Sequence, residues 1–323
     1  MTRLRNALLV LIAGAVAAGL LASAGPAEAQ KRGGTLTIVR PTDPVSLDPN
    51  LETTAPGAWV YFNMLEGLLT LDAKMQVQPS LATSYEVMSP TRVRFKLRPN
   101  VKFHDGTPMN AAAVKFTYDR ALKGTPPARW ASLAGSLSGA EVVDDLTVDI
   151  VTKEPYGPVL RTLAMYCMGI VSPTAVGKLG ADFSRAPVGT GPFKFVEWKT
   201  NTHVIIERFP DYWGDKALLD RVIFKVVPEE GARMIALQTG DADMVLFPSP
   251  ALLPALRKDA KFTVHETTGI RVVFAGFHAG MPPLDDVRVR QALLHAVDRK
   301  AIVDNIMEGS AGPVSIGEDL NIR

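Results

Sequence analysis

A mixed α/β fold is predicted by three features of the 323-residue sequence. Short β-type runs alternate with helical runs along the chain. Hairpins break that alternation, so a simple doubly wound sheet is not expected. Residues 187–248 compress a tight turn, strand, turn, strand, aromatic loop, strand, helix and strand into one stretch. That stretch holds no nucleophile, metal cluster or phosphate loop, and it reads as a scaffold that holds something.

The length corresponds to roughly two domains, and a hydrophobic content of 47% is ample for a packed core. The formal charge is +2. Residues 1–29 read as an export signal. Arg3 and Arg5 form a basic start, Ala7 to Leu21 is uncharged and apolar, and Ala27-Glu28-Ala29 is a small-x-small cleavage site before Gln30. The apolar run is shorter than the ~20 residues of a bilayer span. Cleavage removes two arginines and one glutamate and leaves the mature chain near neutral, which gives no support for nucleic-acid binding. The only cysteine, Cys167, has no disulfide partner in the chain and reads as a small buried apolar residue.

The mature chain opens with a short strand over Gly33–Val39. A loop rich in Pro and Asp follows, as far as Pro56-Gly57. Tyr61, Met64, Leu65 and Leu68 then follow helical spacing, with Gly67 near the helix end. Trp59 lies at the mouth of that helix, where core packing and ligand contact are both open. Val93, Phe95 and Leu97 alternate with Arg92, Arg94 and Lys96 as a half-buried strand with a wet basic face. His104 to Pro108 is a turn. Asn110 caps a helix ending at Gly124, with Val114, Tyr118 and Ala121 on one face. Residues 142–150 form a hairpin about Asp144-Asp145. Trp130 falls in the loop between helix and hairpin, where Pro126, Pro127 and Gly135 argue against burial in a core. Gly269–Phe277 reads as a further strand. Asp285 and Asp286 begin a helix with a buried stripe of Val289, Ala292, Leu293 and Ala296. Asp298 caps another helix ending at Gly309.

The catalytic constellations are missing. None of His104, His203, His265, His278 and His295 has a second ligand at metal-binding spacing. Gly189-Thr190-Gly191-Pro192 lacks the end of a phosphate loop. There is no nucleophile elbow, and the Asp and Glu pairs sit at turns and helix starts. An exported small-molecule binder without cofactor or metal is the best residue-level reading. An exported hydrolase and a ligand sensor remain the alternatives.

Nine segments, in order, resemble one family. They are Gly33–Leu36, Leu47-Asp48-Pro49, Leu65-Glu66-Gly67-Leu68, Phe95–Pro108, Ala113–Phe116, Val188–Phe193, Asp211-Tyr212-Trp213, Leu237–Asp241 and Asp286–Leu293 with Ala296-Val297. The family is the periplasmic solute-binding proteins of ABC transporters, family 5, the dipeptide, oligopeptide, nickel and glutathione type. The resemblance implies a periplasmic-binding-protein type II-like fold, with two lobes around a cleft and an extra domain. Residues 30–75 and 187–268 would form the first lobe and 76–186 the extra domain. Residues 269–323 would supply a hinge strand and the start of the second lobe. Relatives are longer, so the expectation is a C-terminally truncated member with its second lobe largely missing and apolar surface exposed on the helices of 285–309.

The same resemblance implies a monomer that captures a peptide-like solute for an inner-membrane ABC permease. It places ligand contacts at Thr53, Thr54, Trp59, Trp130, Phe247, Arg271 and Phe274. For Arg271, pairing with a ligand carboxylate and a structural ion pair are both open.

Overall fold

The computed structural model describes residues 32–124, 128–132, 136–265, 276–298 and 301. Two larger sheets organise them, beside a two-stranded pair of β2 (Leu69–Leu71) and β3 (Val77–Pro79). The first has five strands in the order β11-β1-β10-β9-β8. Its members are β1 (Thr35–Arg40), β8 (Phe193–Lys199), β9 (His203–Arg208), β10 (Arg221–Val226) and β11 (Met244–Val245). Strand β1 lies parallel to both β10 and β11, whereas β10, β9 and β8 pair antiparallel. The expected order of strands and helix through 187–248 is therefore realised, with α5 (Glu230–Thr239) between β10 and β11; α3 (Val159–Leu163) and α4 (Pro173–Leu179) precede β8, and α6 (Leu253–Lys258) follows β11.

The second sheet is antiparallel, in the order β4-β5-β7-β6. It contains β4 (Ala82–Ser89), β5 (Arg92–Leu97), β6 (Leu137–Asp144) and β7 (Thr147–Thr152). Phe95 and Val148 stand opposite each other and are fully buried, under α2 (Ala111–Lys123). The Asn110 side chain accepts from the Ala113 N–H at 3.1 Å, as the cap position predicts. The basic face of β5 is paired rather than merely wet. Buried Asp149 on β7 takes Arg94 Nε at 2.8 Å and Arg92 Nη1 at 2.9 Å, and these bonds hold its carboxyl below the usual carboxylate range.

Each sheet has its own core, and the two meet between Ile170 and Val171. Glycines make the seam possible. A Cβ on Gly189 would fall 2.2 Å from the Met64 carbonyl oxygen, and one on Gly191 would fall 2.7 Å from that of Asn63. The Gly189-Thr190-Gly191 turn thus lies directly on the 63–65 backbone, and Gly191 N–H donates to Met64 O at 2.9 Å. Glu66 closes the seam. Its carboxylate accepts from Thr190 Oγ1 at 2.7 Å, Tyr212 OH at 2.7 Å and Trp213 Nε1 at 2.9 Å. Burial raises its pKa against these three donors.

Three expectations change, and one holds. The helix expected after Pro56-Gly57 is only α1 (Ala55–Tyr61), which already contains both residues. Met64, Leu65 and Leu68 are buried but lie beyond it, because the Asn63 and Met64 carbonyls accept from Phe193 N–H and Gly191 N–H instead of continuing a helix. Trp130 is not an exposed loop residue. It lies in a 3-10 turn, Arg129–Ser132, at 1% exposure, with its ring edge-on to Tyr118 at 6.4 Å. The turn folds back on α2 through Ala128 N–H to Ala121 O at 2.8 Å, so burying a large indole prevails over the loop-forming neighbours. The helix α7 (Val287–Ala296) starts as expected, with Asp286 Oδ1 accepting from Arg288 N–H at 2.8 Å, but none of its residues is buried. Leu293 is 41% exposed, because among the described residues nothing covers the stripe. Finally, Cys167 is buried as expected, and burial pushes its thiol up to about 11.

Candidate functional site

Strands β1 and β11 run parallel, and their carboxyl ends open on one side of the five-stranded sheet. In open α/β sheets this is where ligands bind. The chain leaves β1 at Arg40 into residues 41–54, and it leaves β11 into Phe247.

Three buried carboxylates shape the 41–54 loop. Asp43 Oδ2 accepts from Trp198 Nε1 at 3.0 Å and Asn201 N–H at 2.8 Å. Asp48 pairs with Arg120 on α2. Glu52 Oε1 accepts from Thr54 N–H at 2.7 Å, and its main-chain carbonyl accepts from Tyr61 OH at 3.1 Å. Gly57 is required here, since a Cβ would lie 2.4 Å from Glu52 Cγ. Arg40 is fully buried, donates Nη1 to Pro56 O at 2.8 Å, and stands 3.6 Å from Asp43. Burial lowers its pKa to about 10, so it stays charged at neutral pH.

On this frame the structure brings two of the expected contacts, Trp59 and Phe247, together, with Thr53 and Thr54 at the start of the Trp59 helix. Thr54 is exposed and precedes α1 with an extended backbone and no side-chain capping bond. Thr53 is half-buried, and its carbonyl accepts from Tyr166 OH at 2.6 Å. The Trp59 ring stacks on Phe247 with centroids 5.1 Å apart and planes at 27°. Phe247 is 61% exposed at φ 53°. That left-handed conformation costs an aromatic residue on the order of 1 kcal/mol.

Trp130 does not join this surface, because its side chain is enclosed behind Tyr118. Arg271 and Phe274 lie outside the described residues, as does the signal segment. Sequence reasoning did not single out Tyr166, which is 37% exposed beside Tyr61 at 6.4 Å. An aromatic next to the lone buried cysteine was the available signal. The surface offers stacking faces, main-chain groups and hydroxyls. Among the described residues no group of His, Cys, Asp and Glu could hold a metal ion.

Comparison with known proteins agrees with this geometry. The family model of the bacterial extracellular solute-binding proteins, family 5 Middle, matches residues 76–315. The chain is 33% identical over 271 residues to the glutathione-binding protein GsiB of Pectobacterium atrosepticum, covering 83% of this chain and 52% of the relative. It is 31% identical over 273 residues to GsiB of Escherichia coli K12, covering 84% and 53%. Among solved structures it resembles the periplasmic binding protein DppA of Helicobacter pylori in complex with the peptide STSA. That match has a TM-score of 0.79 at 27% identity, over 87% of this chain and 60% of the other. It also resembles the oligopeptide-binding protein AppA of Bacillus subtilis in complex with a nonapeptide, with a TM-score of 0.78 at 27% identity, over 86% and 56%. The chain spans about half the length of the curated relatives it matches. The family is one of binding proteins, not enzymes, and the mixed α/β architecture is that of periplasmic binding proteins. By the extent of the family match and by the architecture shared with the peptide complexes, this chain belongs to family 5 of the bacterial extracellular solute-binding proteins.

Proposed function

We propose that the chain acts in an ABC import system, as the component that captures a peptide-like solute in the periplasm and hands it to the membrane permease. In this reading the five-stranded unit is the first lobe and the four-stranded unit is the domain beside it. Thr53, Thr54, Trp59 and Phe247 form one wall of the solute cleft, and Arg271 and Phe274 contribute from the segment after Glu266. The Trp59–Phe247 stack at the carboxyl ends of β1 and β11 carries the proposal. An exposed aromatic held at positive φ against a second ring is a rigid apolar platform. The neighbouring Thr54 hydroxyl and the loop's main-chain groups suit the amides of a peptide. Support from relatives is twofold: GsiB proteins are glutathione-binding, and the DppA and AppA structures hold peptides.

Calorimetric titration with glutathione and with a tetrapeptide tests this. Trp59→Ala should weaken binding about tenfold or more, the loss of one stacking contact, and Arg271→Ala should weaken it as well. Unchanged affinity in both variants would remove these residues from the cleft.

A further inference from the structure

We propose that Arg120 is the positioning residue of the 46–54 loop. Its guanidinium reaches out of the four-stranded unit, fixes Asp48, and through Asp48 sets the backbone that presents Thr53, Thr54 and Trp59. The inference rests on the reading of those three residues as solute contacts.

Asp48 is 1% exposed. Both its carboxylate oxygens are taken by Arg120: Oδ1 accepts from Nη1 at 3.1 Å, and Oδ2 accepts from Nη2. The same Oδ1 accepts from Asn50 N–H at 3.0 Å. The Asp48 main-chain carbonyl accepts from the N–H groups of Leu51 and Glu52, both at 3.0 Å. One residue therefore folds the turn that leads into Thr53 and Thr54, and one guanidinium neutralises it. Arg120 is itself steered, with its guanidinium over the Phe183 ring at 5.5 Å. Two neutral bonds from the same unit run alongside: Arg129 N–H to Asn50 O at 2.9 Å and Tyr166 OH to Thr53 O. Arg120 brings the charge that matches the buried one.

Removing the guanidinium leaves a buried carboxylate unpaired, which is strongly unfavourable. The loop relieves this by opening until water reaches Asp48. The four-stranded sheet need not change, since its own charged ladder is built on Asp149. A lysine at 120 would keep the charge and lose the fork.

Amide hydrogen exchange on the full-length chain, without solute, tests the inference. Arg120→Ala should raise exchange about tenfold or more at Leu51, Glu52 and Thr54, while β5 and β7 amides keep their protection. Guanidinium ion at tens of millimolar should restore the loop, and sodium should not. Arg120→Lys should fall between wild type and Arg120→Ala. Unchanged loop exchange would overturn the inference. So would an equal rise across β5 and β7, failure of guanidinium to restore protection, or a lysine variant that matches wild type. If Arg120→Ala does not fold, the lysine variant and Asp48→Asn decide by the same loop readout. Because no solute is present, failure here is separate from failure of the Trp59 titration.

Discussion

The imidazole of His104 is clamped between two main-chain groups of the glycine turn. Gly189 N–H donates to Nδ1 at 3.3 Å, so the proton sits on Nε2, which donates to Gly191 O at 3.0 Å. Phe209 packs edge-on at 4.9 Å. Desolvation, with Lys194 adding to it, lowers the pKa from 6.5 to about 4 against the opposing pull of the Gly191 bond and Asp105. The unfolded chain then binds a proton that the folded chain refuses between these two values. The contribution of His104 to stability is complete above about 6.5 and falls away toward 4, by up to about 3 kcal/mol. Urea unfolding across that window should show a shallower pH slope for His104→Gln than for wild type, and equal slopes would refute the assignment. Residue type alone read His104 as a surface or satisfied histidine, and it is a satisfied one. Its partners lie more than eighty positions away, so only folding could name them. Trp130 shows the opposite lesson. Its loop-forming neighbours describe the local chain correctly but say nothing of the core onto which that chain folds back.

At the level of elements, regular periodicity was reliable where one face meets one core. Strand β5 keeps its buried Val93, Phe95 and Leu97, and α2 keeps its cap and its apolar face. The helix after Pro56-Gly57 failed because its second half is consumed by another element. Phe193 N–H and Gly191 N–H take the carbonyls of Asn63 and Met64 at 3.1 and 2.9 Å. The apolar spacing of Tyr61, Met64, Leu65 and Leu68 reflects burial without helix. This contact makes Gly189 irreplaceable. Gly189→Ala must push its methyl group into the Met64 carbonyl and the Leu65 side chain, 2.4 Å away, at a cost of about 2–3 kcal/mol. Gly231→Ala, in the first turn of α5 with open space around it, should be neutral or stabilising by up to about 1 kcal/mol. Urea midpoints of the two variants check the contrast, and similar midpoints would mean the seam yields easily. Of the site, the aromatic and threonine positions of the loop were legible, whereas the stacking of Trp59 on Phe247 was not. The two rings come from elements that meet only because β11 pairs with β1.

For the whole molecule, the seam between the two cores is where distant motifs become one structure. Glu66, Thr190, Tyr212 and Trp213 come from three separate sequence segments and converge on one carboxylate. Arg98 completes the cluster from the four-stranded unit, with its guanidinium 4.1 Å from the Trp213 ring centroid. Export also belongs to this scale. Mass spectrometry of the chain secreted from a Gram-negative host should find Gln30 at the mature N-terminus, and retention of residues 1–29 would refute the signal reading. Among the described residues no helix is long and apolar enough to cross a membrane. The sequence alone determined the mixed α/β class, the order of elements through 187–248 and the family. These depend on local periodicity and on residue types at fixed spacing. The tertiary structure decided that α1 is short, that Trp130 is core, that the basic face of β5 is paired, and that Asp48 meets Arg120. Each of these turns on long-range burial, where desolvation forces a buried charge or a large ring to find its partner whatever the local sequence prefers.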